Sequence, residues 1–162
     1  MNLKALSLTA DAFAAYGTVL QAPMGDGRSI NGGTTQRFDL IDDLQLSGSG
    51  GRAQLALFRA QARSFPQALV EMERHALGSQ SFVPVGAACR FLIAVAAAGD
   101  APSAAALVAF ITDGHQGVTL APGTWHHALL AVDAGDFMVI ERAGDCVDCD
   151  VCKLPDGVSV AY

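Results

Sequence analysis

The sequence predicts a mainly β protein, an antiparallel sandwich or barrel with a few short helices. Short apolar and β-branched runs recur along the chain, and glycine, proline or aspartate separates them. The chain has 162 residues, which is enough for one ordinary domain with a sizeable core. No shift in composition marks a boundary, so we expect a single domain over residues 1–162.

The first predicted element is a short helix over residues 10–16. Thr9 supplies a capping hydroxyl, Asp11 places an acid in the first turn, and Gly17 follows as a stop signal. Phe13 and Tyr16 are three residues apart, which puts both on the same face of this helix.

Beyond this helix the pattern is that of strands and loops. Eight strands are predicted, at residues 18–21, 34–41, 54–59, 81–85, 91–98, 117–120, 126–132 and 137–142. Residues 22–33 and 47–51 are dense in glycine and serine, which predicts loops that are mobile or face a ligand. The alanine-rich residues 102–111 predict a second short helix that leads into a strand.

Composition excludes several functional classes. With 51% hydrophobic and 16% charged residues the chain is globular, and a net charge of -6 without any run of Lys or Arg argues against nucleic-acid binding. The apolar runs stop well short of the roughly 20 residues that cross a bilayer, so no membrane span is expected. The polar, punctuated start does not support a signal peptide, and we expect a cytoplasmic protein. The four cysteines are therefore expected to be free thiols.

Two distant stretches carry the residues that could perform chemistry. In an extended strand Glu73 and His75 point to one face and Arg74 points to the other. If the fold brings Gln80 and His126 to the same face, four polar side chains converge on one pocket. Such a combination predicts an enzyme site.

The spacing of these residues resembles the two metal-binding motifs of the cupin superfamily. The chain reads Glu73-Arg74-His75, then Gln80 and Gly86, and later Pro122-Gly123-Thr124-Trp125-His126. Glu73 stands where cupins have their first histidine, and Gln80 stands where they have glutamate. The resemblance implies a double-stranded β-barrel, or jelly roll, with Glu73, His75, Gln80 and His126 as metal ligands. Two imidazoles, a carboxylate and a weak amide ligand leave nickel, manganese, zinc and iron open.

More narrowly, the chain is similar to the ureidoglycolate lyase family nearly end to end. The segments that carry this similarity are Leu8-Thr9 before Phe13 and Gly17, Ile30-Asn31-Gly32-Gly33, Arg37-Phe38-Asp39-Leu40, Glu73-Arg74-His75, Gly78-Ser79-Gln80, Phe82-Val83-Pro84, Ala109-Phe110, Gln116-Gly117-Val118, Gly123-Thr124-Trp125-His126-His127 and Asp136-Phe137 with Arg142. The family implies a homodimer that cleaves (S)-ureidoglycolate to glyoxylate and urea in allantoin degradation. It also implies a possible nickel cofactor.

The reaction needs one base and one acid. Ureidoglycolate is a carbinolamide, so loss of urea requires removal of the hydroxyl proton and protonation of the departing nitrogen. We expect His126 to act as the base or as a metal ligand, and His75 with Glu73 to act as ligands or as the acid partner.

The substrate carboxylate calls for an arginine, with Arg37, Arg74 and Arg142 as the candidates. Strand alternation turns Arg74 away from the site, towards a salt bridge or a dimer contact. Arg37, on a polar and glycine-flanked segment, is the preferred carboxylate partner.

Three further polar residues are expected to orient the substrate or to serve the structure. Asn31 either hydrogen-bonds the ureido group or forms a turn beside Gly32. Ser79 and Gln80 are expected to orient the substrate, and Ser79 has an alternative structural role because the reaction needs no nucleophile.

Alternative hypotheses remain at this point. The chain could be another cupin enzyme of small hydroxy or keto acids, such as a metal-dependent isomerase or oxygenase, or a non-catalytic cupin sensor that binds a carboxylate. A ureidoglycolate hydrolase would release ammonia and carbon dioxide instead of urea. Cys146, Cys149 and Cys152 have the spacing of part of an iron–sulfur or zinc site, but they lack a fourth ligand and three aspartates interleave with them.

Overall fold

The computed structural model describes residues 1–162 as a set of short strands with one short helix, α1 (Ala10–Phe13). The strands are β1 (Asn2–Lys4), β2 (Leu6–Ser7), β3 (Gly17–Leu20), β4 (Arg28–Ile30), β5 (Thr35–Arg37), β6 (Arg52–Ala60), β7 (Gln67–Ala68), β8 (Glu71–Arg74), β9 (Gln80–Val85), β10 (Phe91–Ala96), β11 (Val108–Ile111), β12 (Gly117–Leu120), β13 (Trp125–His126), β14 (Leu130–Ala131), β15 (Gly135–Ala143), β16 (Asp150–Lys153) and β17 (Ser159–Ala161). Three 3-10 turns lie at Asn31–Gly33, Gly48–Gly50 and Ala104–Ala106.

The strands form three main sheets and one separate hairpin. The central sheet has the order β16-β8-β13-β10-β11-β2, and β14 also pairs with β10. A five-stranded sheet has the order β3-β12-β9-β15-β6, and a three-stranded sheet has the order β1-β17-β7. Strands β4 and β5 pair only with each other. The predicted mainly β, cupin-like architecture is confirmed.

Strand β10 lies at the centre of the core because both of its faces are buried. Its alternate residues from Phe91 onward belong to a buried cluster that includes Phe137 of the five-stranded sheet. The intervening residues from Leu92 onward belong to a second cluster that includes Val160 of the three-stranded sheet. An uninterrupted apolar run is what a strand buried on both faces requires.

The helix differs from the prediction at its C-terminal end. Thr9 caps it as expected, because its hydroxyl accepts a hydrogen bond from the Ala12 amide at 3.3 Å, but the helix ends at Phe13. Gly17 does not stop the helix; it begins β3 in pairing with Leu120. A side chain at Gly17 would place its Cβ 1.9 Å from the carbonyl oxygen of Thr119, so close approach of two strands explains this glycine.

Several predicted boundaries were wrong where pairing partners are short. The strand predicted at residues 34–41 ends at Arg37, because its partner β4 begins at Arg28, which pairs with Arg37. The loop predicted at 22–33 therefore contains β4 and a 3-10 turn. The strand predicted at 126–132 is divided into β13 and β14. The prediction for residues 102–111 is confirmed as a 3-10 turn followed by β11.

Apart from β4, the strands that the sequence analysis missed pair across long sequence separations. Strands β1, β7 and β17 form one sheet although they come from the two ends and the middle of the chain.

The structure contains no helix whose length and apolar character would allow it to cross a membrane.

Candidate metal and substrate site

The two-residue strand β13 fixes the position of His126. His126 pairs with Glu73 of β8 on one side and with Val95 of β10 on the other. The turn that precedes it is held in place as well, because the Gly123 amide donates to the His75 carbonyl at 2.7 Å. Gly123 has a φ of 82°, a conformation that favours glycine. His126 is consequently only 1% exposed.

The hydrogen bonds of His126 define which ring nitrogen carries the proton. Nδ1 lies 3.0 Å from the carbonyl oxygen of Thr124, which can only accept, so Nδ1 donates. Burial lowers the pKa of His126 to about 4, with the nearby imidazoles of His75 and His127 adding to this effect against the opposing Thr124 hydrogen bond. The ring is therefore neutral at pH 7 and presents a lone pair at Nε2.

Two oxygen atoms face this lone pair. Gln80 Oε1 lies 3.1 Å from His126 Nε2, and Glu73 Oε1 lies 3.6 Å from it. The amide of Gln80 is oriented by Glu141, because Gln80 Nε2 donates to Glu141 Oε2 at 2.8 Å. Three acceptor atoms thus converge with no proton between them, an arrangement that a bound cation stabilises.

His75, like His126, uses Nδ1 for a hydrogen bond to a backbone carbonyl. Its Nδ1 donates to the backbone carbonyl of Asp148, and its Nε2 is buried without a hydrogen-bond partner. The carboxylate of Asp148 accepts hydrogen bonds from the amides of Ala76 at 2.7 Å and Leu77 at 3.0 Å, which holds the two segments together. The imidazoles of His75 and His126 lie with centroids 5.3 Å apart.

These residues fit a divalent metal ion. One ligand atom from each of Glu73, His75 and His126 lies within 4.8 Å of the other two. Both imidazoles donate Nδ1–H to a backbone carbonyl, which is the usual support for a histidine that binds metal through Nε2. The Gln80 amide oxygen adds a neutral fourth donor beside His126.

A cavity of about 350 Å³ opens beside His75. Its polar wall is formed by Arg52, Gln54, Ser79, Glu141, Arg142 and Asp148. This volume lies at the small end of the range of roughly 300–1,000 Å³ for ligand pockets, which suits a small polar molecule.

Other residues highlighted by the sequence lie elsewhere or serve structural contacts. Arg37 is exposed on the β4–β5 hairpin and pairs with Asp39 at 2.6 Å. Asn31 lies on the same hairpin and donates to Thr35 Oγ1 at 3.3 Å. Neither Arg37 nor Asn31 lines the cavity. Ser79 does line it, but its hydroxyl donates to the Leu44 carbonyl.

Arg74 lies on the other face of β8 from the metal-ligand candidates, as strand alternation predicted. Its guanidinium pairs with Asp150 at 2.8 Å and lies 4.7 Å from the centroid of the Trp125 ring. The predicted salt bridge is confirmed.

Sequence reasoning missed Glu141, Gln54 and Arg52. A signal for Glu141 exists, because Phe137 and Val139 are buried core residues and strand alternation puts Glu141 on the same face. In the register of the sheet Glu141 pairs with Gln54 on one side and Gln80 on the other. These three polar side chains form a row across the five-stranded sheet.

Comparison with known proteins identifies relatives over most of the chain. The family model described as ureidoglycolate lyase matches residues 1–161. The ureidoglycolate lyase of Burkholderia cepacia is 44% identical over 154 residues, which cover 94% of this chain and 86% of that protein. The ureidoglycolate lyase of Pseudomonas syringae pv. syringae is 41% identical over 144 residues, which cover 88% of this chain and 84% of that protein. The chain therefore belongs to the ureidoglycolate lyase family.

Proposed function

We propose that this protein is a ureidoglycolate lyase that removes urea from (S)-ureidoglycolate and leaves glyoxylate, a step of allantoin degradation. The observation that carries the proposal is the convergence of two unprotonated imidazole nitrogens with the Glu73 carboxylate beside a small polar cavity. Membership of the family supplies the substrate and the reaction.

Glu73, His75, His126 and Gln80 are the proposed ligands of a divalent metal, with nickel as the candidate. When bound, such an ion supplies a Lewis acid that polarises the oxygen atoms of the substrate. Of the two roles open to His126, ligand or base, the geometry favours the ligand role, because the buried and unprotonated Nε2 faces the oxygens of Gln80 and Glu73.

Glu141 is our proposed proton carrier. It lies in the cavity wall, and only one of its oxygens has a hydrogen-bond partner, the Gln80 amide. Its carboxylate accepts the proton of the substrate hydroxyl as the carbonyl forms and the carbon–nitrogen bond breaks. The same carboxyl then returns the proton to the nitrogen of the departing urea, so the step is balanced.

A homodimer is also proposed, through the outer face of the five-stranded sheet. Leu55 and Leu57 of β6 are 63% and 59% exposed, and Met138 of β15, which pairs with Leu57, is 36% exposed. Strand β6 is nine residues long and lies at the edge of its sheet. Long apolar edge strands are normally covered, and a second copy of the chain would present the same apolar face.

The activity is tested by incubating the protein with ureidoglycolate and measuring glyoxylate and urea above the spontaneous decay of the substrate. We expect both products in equal amounts, and a loss of at least about 100-fold in rate for His126→Ala. His115→Ala is the matched control, because His115 lies exposed on a turn and should keep wild-type activity. Release of ammonia in place of urea would identify a hydrolase, and full activity of His126→Ala would refute the site.

Metal binding is tested by titrating chelator-treated protein with nickel and measuring heat and stoichiometry. We expect one ion per chain, and an affinity at least about tenfold weaker for His75→Ala because one imidazole ligand is lost. Cys146→Ser is the control, since Cys146 lies outside the Glu73, His75 and His126 cluster. Equal nickel affinity of His75→Ala and wild type would argue against these ligands.

The pH dependence of stability follows from the buried imidazole. Because the pKa of His126 falls from 6.5 to about 4 on folding, the unfolded chain binds more protons than the folded chain in this interval. The free energy of unfolding of the metal-free protein should therefore decrease as the pH falls from about 6.5 to about 4, by on the order of 3 kcal/mol. Urea unfolding at several pH values measures this, and the His126→Gln variant should show a shallower dependence. An NMR titration that gives His126 an ordinary pKa would contradict the prediction.

The dimer is tested by light scattering after size-exclusion chromatography. We expect a dimer for the wild type and a monomer for Leu57→Glu, because a buried carboxylate in an apolar interface is costly. Met24→Glu, at a fully exposed loop residue, should remain a dimer. A monomeric wild type, or a dimeric Leu57→Glu protein, would exclude this interface.

A further inference from the structure

The side chain of Arg142 is held in a slot between two loops. Its Nε donates to the Gly48 carbonyl at 2.9 Å, and its Nη2 donates to the Ser49 carbonyl at 2.9 Å. Its Nη1 is buried and has no hydrogen-bond partner. Two of the three guanidinium nitrogens are thus fixed by the protein, while the third lacks an acceptor.

Three glycines make room for this side chain. A Cβ would lie 2.3 Å from Arg142 Nε at Gly51, 2.5 Å from Arg142 Cβ at Gly78 and 2.8 Å from Arg142 Nη1 at Gly144. None of these glycines has a positive φ, so close packing against Arg142, and not backbone conformation, accounts for the missing side chains. Three glycines and two backbone carbonyls therefore determine where the Arg142 guanidinium lies.

The cavity wall contains two arginines and two acids that form no ion pair with one another. Arg142 and Arg52 both line the cavity beside His75, and neither forms an ion pair within the chain. The two acids of the cavity wall are engaged elsewhere, Glu141 by the Gln80 amide and Asp148 by backbone amides. A buried donor without an acceptor costs free energy, and a ligand carboxylate would remove that cost.

We propose that Arg142, with Arg52 beside it, binds the carboxylate of the substrate and makes the site selective for small carboxylates over neutral analogues of the same shape. The naming of ureidoglycolate as that substrate rests on the proposed function, but the anion site itself needs no turnover. A planar guanidinium suits a carboxylate because two parallel N–H groups can meet its two oxygens. Arg37, already paired with Asp39 on the hairpin, does not take this role.

A purely structural role for Arg142 would be to pin the 3-10 turn at Gly48–Gly50. The two roles make different predictions for ligand selectivity. An arginine that only pins a turn affects stability, whereas an arginine that binds the ligand affects the preference for a carboxylate over a neutral amide of the same shape.

The experiment measures dissociation constants for glycolate and for its neutral analogue glycolamide by calorimetric titration of the full chain. Wild type should prefer glycolate, and Arg142→Met should weaken glycolate binding about 10- to 100-fold while leaving glycolamide unaffected. Arg59→Met is the matched control. Arg59 lies near the far end of β6 from Arg52 and pairs with Asp136 at 2.8 Å, so its loss should leave the glycolate constant unchanged.

A second variant keeps the charge and remains informative if Arg142→Met does not fold. Gly144→Ala would add a methyl group 2.8 Å from Arg142 Nη1, so it should weaken glycolate binding without a change in the thermal midpoint. Wild-type glycolate affinity in Gly144→Ala or in folded Arg142→Met would overturn the proposal, as would equal binding of glycolate and glycolamide by the wild type.

The outcome separates this inference from the proposed function. Selective glycolate binding that depends on Arg142, in a protein that does not turn over ureidoglycolate, would refute the lyase and keep the anion site. Turnover of ureidoglycolate with an unchanged KM in Arg142→Met would refute the anion site and keep the lyase.

Discussion

The pairing of β13 with β8 on one side and β10 on the other is the constraint on which the site depends. Strand β10 is buried on both faces, so its position is set by the two core clusters. The backbone of His126 is registered against Val95 of that strand and against Glu73 of β8. The apolar core thereby determines where a polar side chain lies, and Glu73 and His126 meet because they are opposite each other in one sheet.

In the candidate site, side-chain donors have hydrogen-bond acceptors, whereas two side-chain acceptors face each other. Gln80 Nε2 donates to the Glu141 carboxylate, and His126 Nδ1 donates to the Thr124 carbonyl. The acceptors, in contrast, face one another at Nε2 of His126 and Oε1 of Gln80. Folding alone does not favour such crowding of lone pairs, and unfavourable local arrangements concentrate at functional sites. A cation bound between these acceptors would offset the cost.

The sequence was sufficient for the parts of the site that depend on local geometry. Alternation in β8 puts Glu73 on the site face and Arg74 on the opposite one, because the period of a strand is two. The sequence did not indicate where the Arg142 side chain lies, because the glycines around it are at positions 51, 78 and 144, far apart in the chain. Arg37 has glycines near it in sequence, but its hairpin pairs only with itself and does not line the cavity. Tertiary contacts, which a single sequence does not display, decide which arginine reaches the cavity.

The cysteine-rich segment, residues 144–152, lies beside His75 and Arg142. Its thiols lie in separate environments, since Cys146 lines the cavity, Cys149 is 3.8 Å from a Glu73 oxygen and Cys152 packs against the core. The metal-ligand group of the structure consists of Glu73, His75 and His126 and contains none of these thiols. Asp148, which lies between Cys146 and Cys149, orients the His75 ring through its backbone carbonyl. Gly144, shortly before the cysteines, leaves room for Arg142. One segment therefore lies against both His75 of the metal-ligand candidates and Arg142 of the cavity wall.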